Sequence, residues 1–237
     1  MIKINKINNW EDAINKVSCG DCLELMGKMS DSCVDLVVVD PPYEIHANSG
    51  GGLHNKRDWL KNVHNAGIDT FNPILFLDNI SRVLKLFHAY IFTSKNLLKD
   101  YISYFESKNY NWDLLIMAKN NPIPTKNNKY LSDKEYIFFV REKGCYFNND
   151  LSYNNYFSVK RVNVTKNIYH PTEKDLSLIK ELILMSSKED DLVLDCYAGS
   201  FTTARACKDL KRNFIGCDIS ESYCKIGEAR LSQQVLI

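Results

Sequence analysis

The chain of 237 residues carries almost no net charge: 30 Lys and Arg stand against 29 Asp and Glu, a formal balance of +1. That excludes the wholesale basicity of a histone or a ribosomal protein, though not a local basic face. There is no apolar run of membrane-spanning length, and the opening "MIKINKINNWEDAINK" has no apolar core of signal-peptide size, so a cytoplasmic protein with no membrane partner is expected. Internal repeats and low-complexity tails are also lacking. Cysteine is plentiful at eight, but only one CxxC occurs, Cys19-Gly20-Asp21-Cys22. It has no second pair to complete a zinc site and lacks the proline of a thioredoxin loop, so reduced thiols are expected. His46, His54 and His64 are strung along one polar stretch without metal-ligand spacing, and no metal is expected. Glycine is sparse where a nucleotide-binding chain would use it, and no Lys follows as a phosphate-cradling loop requires.

What is present is a rhythm. Short β-branched runs near 16–20, 34–39, 88–93, 112–118, 136–141, 192–196 and 214–217 predict seven strands. Helical patterns fit 21–29, 73–86, 97–108, 175–187, 202–209 and 221–231. Alternation of this kind predicts βαβ units in one α/β domain with a mostly parallel sheet. The strands at 112–118 and 136–141 have no helix between them, which predicts an antiparallel hairpin at a sheet edge. Two stretches, about 44–70 and 142–169, fit no element, and irregular segments of that length are usually functional or disordered.

Three constellations carry chemistry. The apolar strand "VDLVVV" ends on Asp40-Pro41-Pro42-Tyr43. In open α/β sheets the working groups emerge at the carboxyl ends of strands, and two prolines fix the chain so that Asp40 and the Pro41 carbonyl are rigid acceptors. With the Tyr43 ring beside them, they suit a planar group bearing an exocyclic amine. The second is "DLVLDCYAGSFTTARACKDLKRNFIGCDIS": a strand ending at Asp195, a tight turn through Gly199, a helix from Thr202, and a second strand ending at Asp218. This pattern suits a nucleoside whose ribose hydroxyls meet the second acid. The third, "YHPTEKDLSLIKELI", predicts a helix start with Thr172 as N-cap and Lys174 near its amino end.

Together these resemble the DNA adenine-N6/cytosine-N4 methyltransferases, in the permuted β class where DPPY precedes the cofactor turn. The resemblance runs through nearly the whole chain and implies a Rossmann-like, S-adenosylmethionine-dependent methyltransferase fold in a single domain, 1–237. It implies Asp40, Pro41, Pro42 and Tyr43 as the catalytic loop. It further implies Asp21, Cys22, His170, Thr172, Lys174, Asp195, Cys196, Tyr197, Gly199, Ser200, Thr202 and Asp218 around S-adenosylmethionine. The chain departs from the family's "DPFxGSGTT" at Tyr197 and at Phe201, the latter replacing a glycine.

The segments without predicted elements are the expected DNA-contacting parts. His54, Lys56 and Arg57 lie on 44–70, and Lys160, Arg161 and Lys166, interleaved with Tyr153, Tyr156, Phe157 and Tyr169, lie on the target-recognition segment 142–169. The partner implied is double-stranded DNA, with a homodimer and a cognate restriction endonuclease as compatible partners. The expected reaction is sequence-specific methylation of the adenine N6 amine by base flipping. Cytosine-N4 methylation and a non-catalytic DNA-binding subunit of the same fold are the alternatives.

Overall fold

The computed structural model describes residues 1–42, 71–122, 130–163 and 173–233. Its strands are β1 (Ile2–Lys3), β2 (Val17–Cys19), β3 (Leu36–Val39), β4 (His88–Thr93), β5 (Asn111–Lys119), β6 (Lys134–Arg141), β7 (Val159–Val162), β8 (Leu192–Asp195) and β9 (Asn213–Asp218). They form one sheet in the order β1-β2-β9-β8-β3-β4-β6-β5-β7. All neighbouring pairs are parallel except those made by β6, which runs antiparallel to both β4 and β5.

The α/β class and the mixed sheet agree with expectation, but two strands join the seven that were predicted. β1 pairs Ile2 with Ser18, and β7 pairs Val159 with Ile116. Both are edge strands, two and four residues long, and "IK" and "VKRV" are too short and too charged to show an alternation. Consequently the antiparallel hairpin β5–β6 is not the edge itself: β7 covers it.

Helices cover both faces. On one side lie α1 (Cys22–Lys28), α2 (Pro73–Val83) and α3 (Leu98–Ser107); on the other lie α4 (Leu176–Ser186), α5 (Thr202–Asp209) and α6 (Glu221–Ser232). β3 shows why the sheet is sandwiched. Val37 and Val39 pack into the core with Leu25, Phe76, Ile80 and Phe105, whereas Leu36 and Val38 pack into the core with Ile179, Leu182 and Ala204. A strand apolar at every position has both faces buried, as parallel strands require.

The caps fix where helices begin. Asp21 accepts from the Glu24 N–H at 2.9 Å, and Asn72 accepts from those of Ile74 and Leu75, with Pro73 in the first turn. α4 is capped by Asp175, which accepts from the Leu178 N–H at 2.9 Å, so the helix starts at Leu176 and not after Thr172. Asp175 wins because the apolar stripe Leu178, Ile179, Leu182 and Ile183 has to face the sheet from its first turn onward. No helix of the described residues is long and apolar enough to cross a membrane.

Candidate active site

From β3 the chain moves on to β4 on one side, and from β8 it moves on to β9 on the other. The order therefore reverses between β3 and β8, and the crevice beyond their carboxyl ends is where open α/β sheets bind ligands. Asp40 follows β3, Asp195 ends β8, Asp218 ends β9 and Asp21 follows β2. Four acids thus stand along one rim of adjacent strands.

Asp40 is tied down from across the crevice. Its Oδ2 lies 2.8 Å from the Lys174 ammonium, which also reaches Glu135 Oε2 on β6 at 2.7 Å. Lys119 on β5 meets the other Glu135 oxygen at 2.6 Å, and the Lys174 nitrogen sits 5.0 Å from the centroid of the Phe92 ring. Burial alone would push the Lys174 ammonium down, but Asp40 and Glu135 outweigh it and hold its pKa above the ordinary value. Burial likewise works to raise Glu135, yet Lys174 and Lys119 hold its carboxyl below the usual range. The result is an alternating chain of charges, Lys119–Glu135–Lys174–Asp40. Lys174, expected near a cofactor's methionine end, pairs its ammonium with Asp40 and Glu135.

The turn after β8 is built from its own backbone. Asp218 accepts from the Gly199 N–H at 2.9 Å and from the Ser220 N–H at 2.8 Å, while Asp195 accepts from the Tyr197 N–H at 3.2 Å. Burial pushes Asp195 up to about 7 and Asp218 up to about 6. Gly199 has φ +50, and a Cβ built there would meet no atom within 4 Å, so the turn faces open space on that side. Cys196 is buried, and Tyr197 packs its ring against Phe71 and Phe76 at 5.9 and 5.7 Å between centroids. The Ser200 and Thr202 hydroxyls are held from α6: Arg230 donates to them at 3.2 and 3.0 Å and also pairs with Glu173. These two hydroxyls, expected to contact a cofactor, clamp the turn to α6 and to the residues before α4.

Phe201, where the family has a glycine, adopts the left-handed conformation a glycine would favour, with φ 60 and ψ 38. Its ring is fully buried and fills space that two other glycines leave open. A Cβ on Gly216 would lie 3.1 Å from the ring, and one on Gly227 only 2.4 Å from it. The side chain points into the packing of β9 and α6, so the departure is absorbed behind the turn.

The single CxxC is divided between elements, Cys19 ending β2 and Cys22 starting α1, and all eight cysteines are free thiols. Of the residues expected to touch DNA, Arg161 is exposed, but Lys160 is not. Lys160 is buried, donates to the Asn155 carbonyl at 2.7 Å and pairs with Glu181 of α4 at 2.6 Å. That corrects the expectation: Lys160 fastens β7 to α4, because inward and outward positions alternate along β7 and Lys160 falls on the inward one. Tyr153 and Phe157 are largely exposed beside it. Tyr43, His54, Lys56, Arg57, Lys166, His170 and Thr172 lie outside the described residues. Sequence reasoning missed Glu135, Phe92 and Arg230, which approach the motifs only through sheet order and helix packing and carry no local signature.

A family model described as DNA methylase, of the N6/N4 type, matches residues 34–229. Type II methyltransferase M2.MboI of Moraxella bovis is 30% identical, with 89% of this chain and 85% of that protein covered. DNA adenine methyltransferase YhdJ of Escherichia coli is 29% identical, with 90% and 81% covered. Among solved structures, the complex of M1.HpyAVI with SAM has a TM-score of 0.68 at 23% identity, covering 91% of this chain and 98% of that one. The cytosine-N4-specific PvuII DNA methyltransferase has a TM-score of 0.71 at 16% identity, with 93% and 87% covered. At those identities the two structures speak for the fold.

Proposed function

The chain belongs to the N6/N4 DNA methylase family and is a DNA methyltransferase, and on that premise we propose that it methylates the N6 amine of adenine at specific sequences in DNA. The observation that carries this reading is the rigid acceptor pair at the end of β3, Asp40 followed by Pro41, on the same rim as the acids of β8 and β9. Aspartate at position 40 is the form the adenine enzymes carry, and the relative YhdJ is a DNA adenine methyltransferase by name.

S-adenosylmethionine is the methyl donor, and when bound it supplies a methyl group made electrophilic by a sulfonium. The residues present fit it. The open space over Gly199 admits a ligand against the backbone, and the carboxylates of Asp21 and Asp218 match ribose hydroxyls and positive charge, with the Asp195 carboxyl beside them. Asp218 already accepts two backbone N–H bonds, and a carboxylate has about four acceptor directions, so capacity remains for hydroxyls. Cys22, Cys196 and Tyr197 line the same region, and His170 and Thr172 complete the proposed set by their place in the motif.

At the reacting end, Asp40 and the Pro41 carbonyl accept hydrogen bonds from the substrate amine. An aromatic amine is a weak nucleophile because its lone pair is delocalised into the ring. Acceptors on its hydrogens favour a tetrahedral nitrogen, and the contact strengthens as positive charge develops there, which lowers the barrier preferentially. In a duplex the amine is paired, so the base flips out at a cost of about a few kcal/mol, offset in part by stacking on Tyr43. Arg161, Lys166, His54, Lys56 and Arg57 are the proposed phosphate and base contacts, carried by the segments 44–70 and 142–169 of a single domain. The protein acts in the cytoplasm, alone or as a homodimer, alongside a restriction endonuclease of the same specificity.

The test is incubation of the protein with S-adenosylmethionine and unmethylated DNA, followed by sequencing that detects modified bases. N6-methyladenine in one sequence context is the expected result. N4-methylcytosine, or no incorporated methyl, would overturn the reading.

A further inference from the structure

The pairing of Lys174 with Asp40 poses a problem for catalysis. An ammonium 2.8 Å from the Asp40 carboxylate holds it in place but also opposes the negative potential on which stabilising a cationic nitrogen depends. Glu135 lies on the far side of that ammonium, at 2.7 Å. We infer that Glu135 is a positioning residue that offsets the charge of Lys174, so that Asp40 is fixed by the lysine without being neutralised by it. This rests on the proposed role of Asp40 as the acceptor for the substrate amine.

The geometry separates the two demands. Lys174 is half-buried, with the Phe92 ring on one side, and bridges two carboxylates that belong to different strands, one following β3 and one on β6. Glu135 is itself held by Lys119 on β5. Among the described residues these four groups sum to zero, and Asp195 and Asp218 stand further along the rim. Removing the charge of Glu135 alone leaves the group at +1 beside the forming cation. Removing that of Lys174 as well restores zero. Removing that of Lys119 leaves −1, which does not oppose the cation. A purely structural Glu135 instead predicts losses of kcat that track falls in melting temperature across the variants.

The experiment measures kcat for transfer of labelled methyl to unmethylated plasmid DNA, at saturating S-adenosylmethionine, with cofactor Kd by calorimetry and folding by thermal melting. Glu135→Gln is expected to lower kcat by about tenfold or more while cofactor Kd stays within about twofold. Adding Lys174→Met to it is expected to recover part of the loss, and Lys119→Met is expected to raise kcat. A Glu135→Gln kcat within about twofold of the parent, or a double variant no more active than Glu135→Gln, overturns the inference. If Glu135→Gln does not fold, Lys119→Met decides alone: a raised kcat, as a net −1 beside the forming cation requires, supports the inference, and an unchanged or lowered kcat refutes it. Absence of methyl transfer by the parent protein would be a failure of the proposed function and not of the charge argument.

Discussion

Asp40 is the residue on which the proposed chemistry turns, and its surroundings let its removal be interpreted. Asp40→Ala leaves Lys174 with Glu135 as a counter-charge, so the ammonium is not stranded. We expect this variant to lose methyl transfer by about a thousandfold or more while still binding S-adenosylmethionine, as calorimetry would show. Near-parental turnover would remove Asp40 from the mechanism. Phe201 is the other residue with a sharp consequence. Its left-handed backbone costs roughly 1–2 kcal/mol, but truncating a buried ring costs about 3–5 kcal/mol. Phe201→Gly should therefore lower stability even though it restores the residue the family uses. Gly227→Ala should also destabilise, by about 1–3 kcal/mol, because its methyl would collide with the ring. Combined with Phe201→Ala that penalty should shrink, and additive losses in a denaturant cycle would show that the two positions do not share the space.

At the scale of elements, β7 separates two basic residues that the sequence presents side by side. Arg161→Ala should weaken DNA binding about uniformly across sequences and reduce the salt slope by about one, with little change in melting temperature. Lys160→Ala should do the reverse. It strands Glu181 and loosens β7 from α4, so melting temperature falls, while at low salt the binding slope is kept. Equal salt slopes for both variants' losses would mean that Lys160 also reaches phosphate. The register of a strand was the deciding factor here: a one-residue shift would exchange the two side chains between the interior and solvent.

Across the whole molecule, titratable groups raised or lowered by burial, Asp195 on the rim among them, make stability depend on pH. Asp195 titrates near 7 when folded and near 3.9 when unfolded, so the native state keeps its proton longer and stability from this group falls as pH rises from about 4 to 7. His88 acts oppositely: burial lowers it to about 4, so its contribution is lost as pH falls through about 6.5 to 4. The two partly cancel in the parent protein, and the difference between proteins is the clean readout. The melting temperature of Asp195→Asn, relative to the parent, should rise between pH 5 and pH 8. A constant difference would mean that Asp195 is not held protonated.

The sequence by itself determined the α/β class, the helices and long strands, and the places of Asp40, Asp195 and Asp218 at strand ends, since periodicity and strand-terminal acids are local signals. Only the tertiary structure decided that Lys174 pairs with Asp40, that Glu135 and Arg230 approach the motifs, that Lys160 is interior and that the Phe201 ring packs against β9 and α6. Those facts depend on which strands become neighbours and on which glycines leave room, and such relations join residues far apart in the chain.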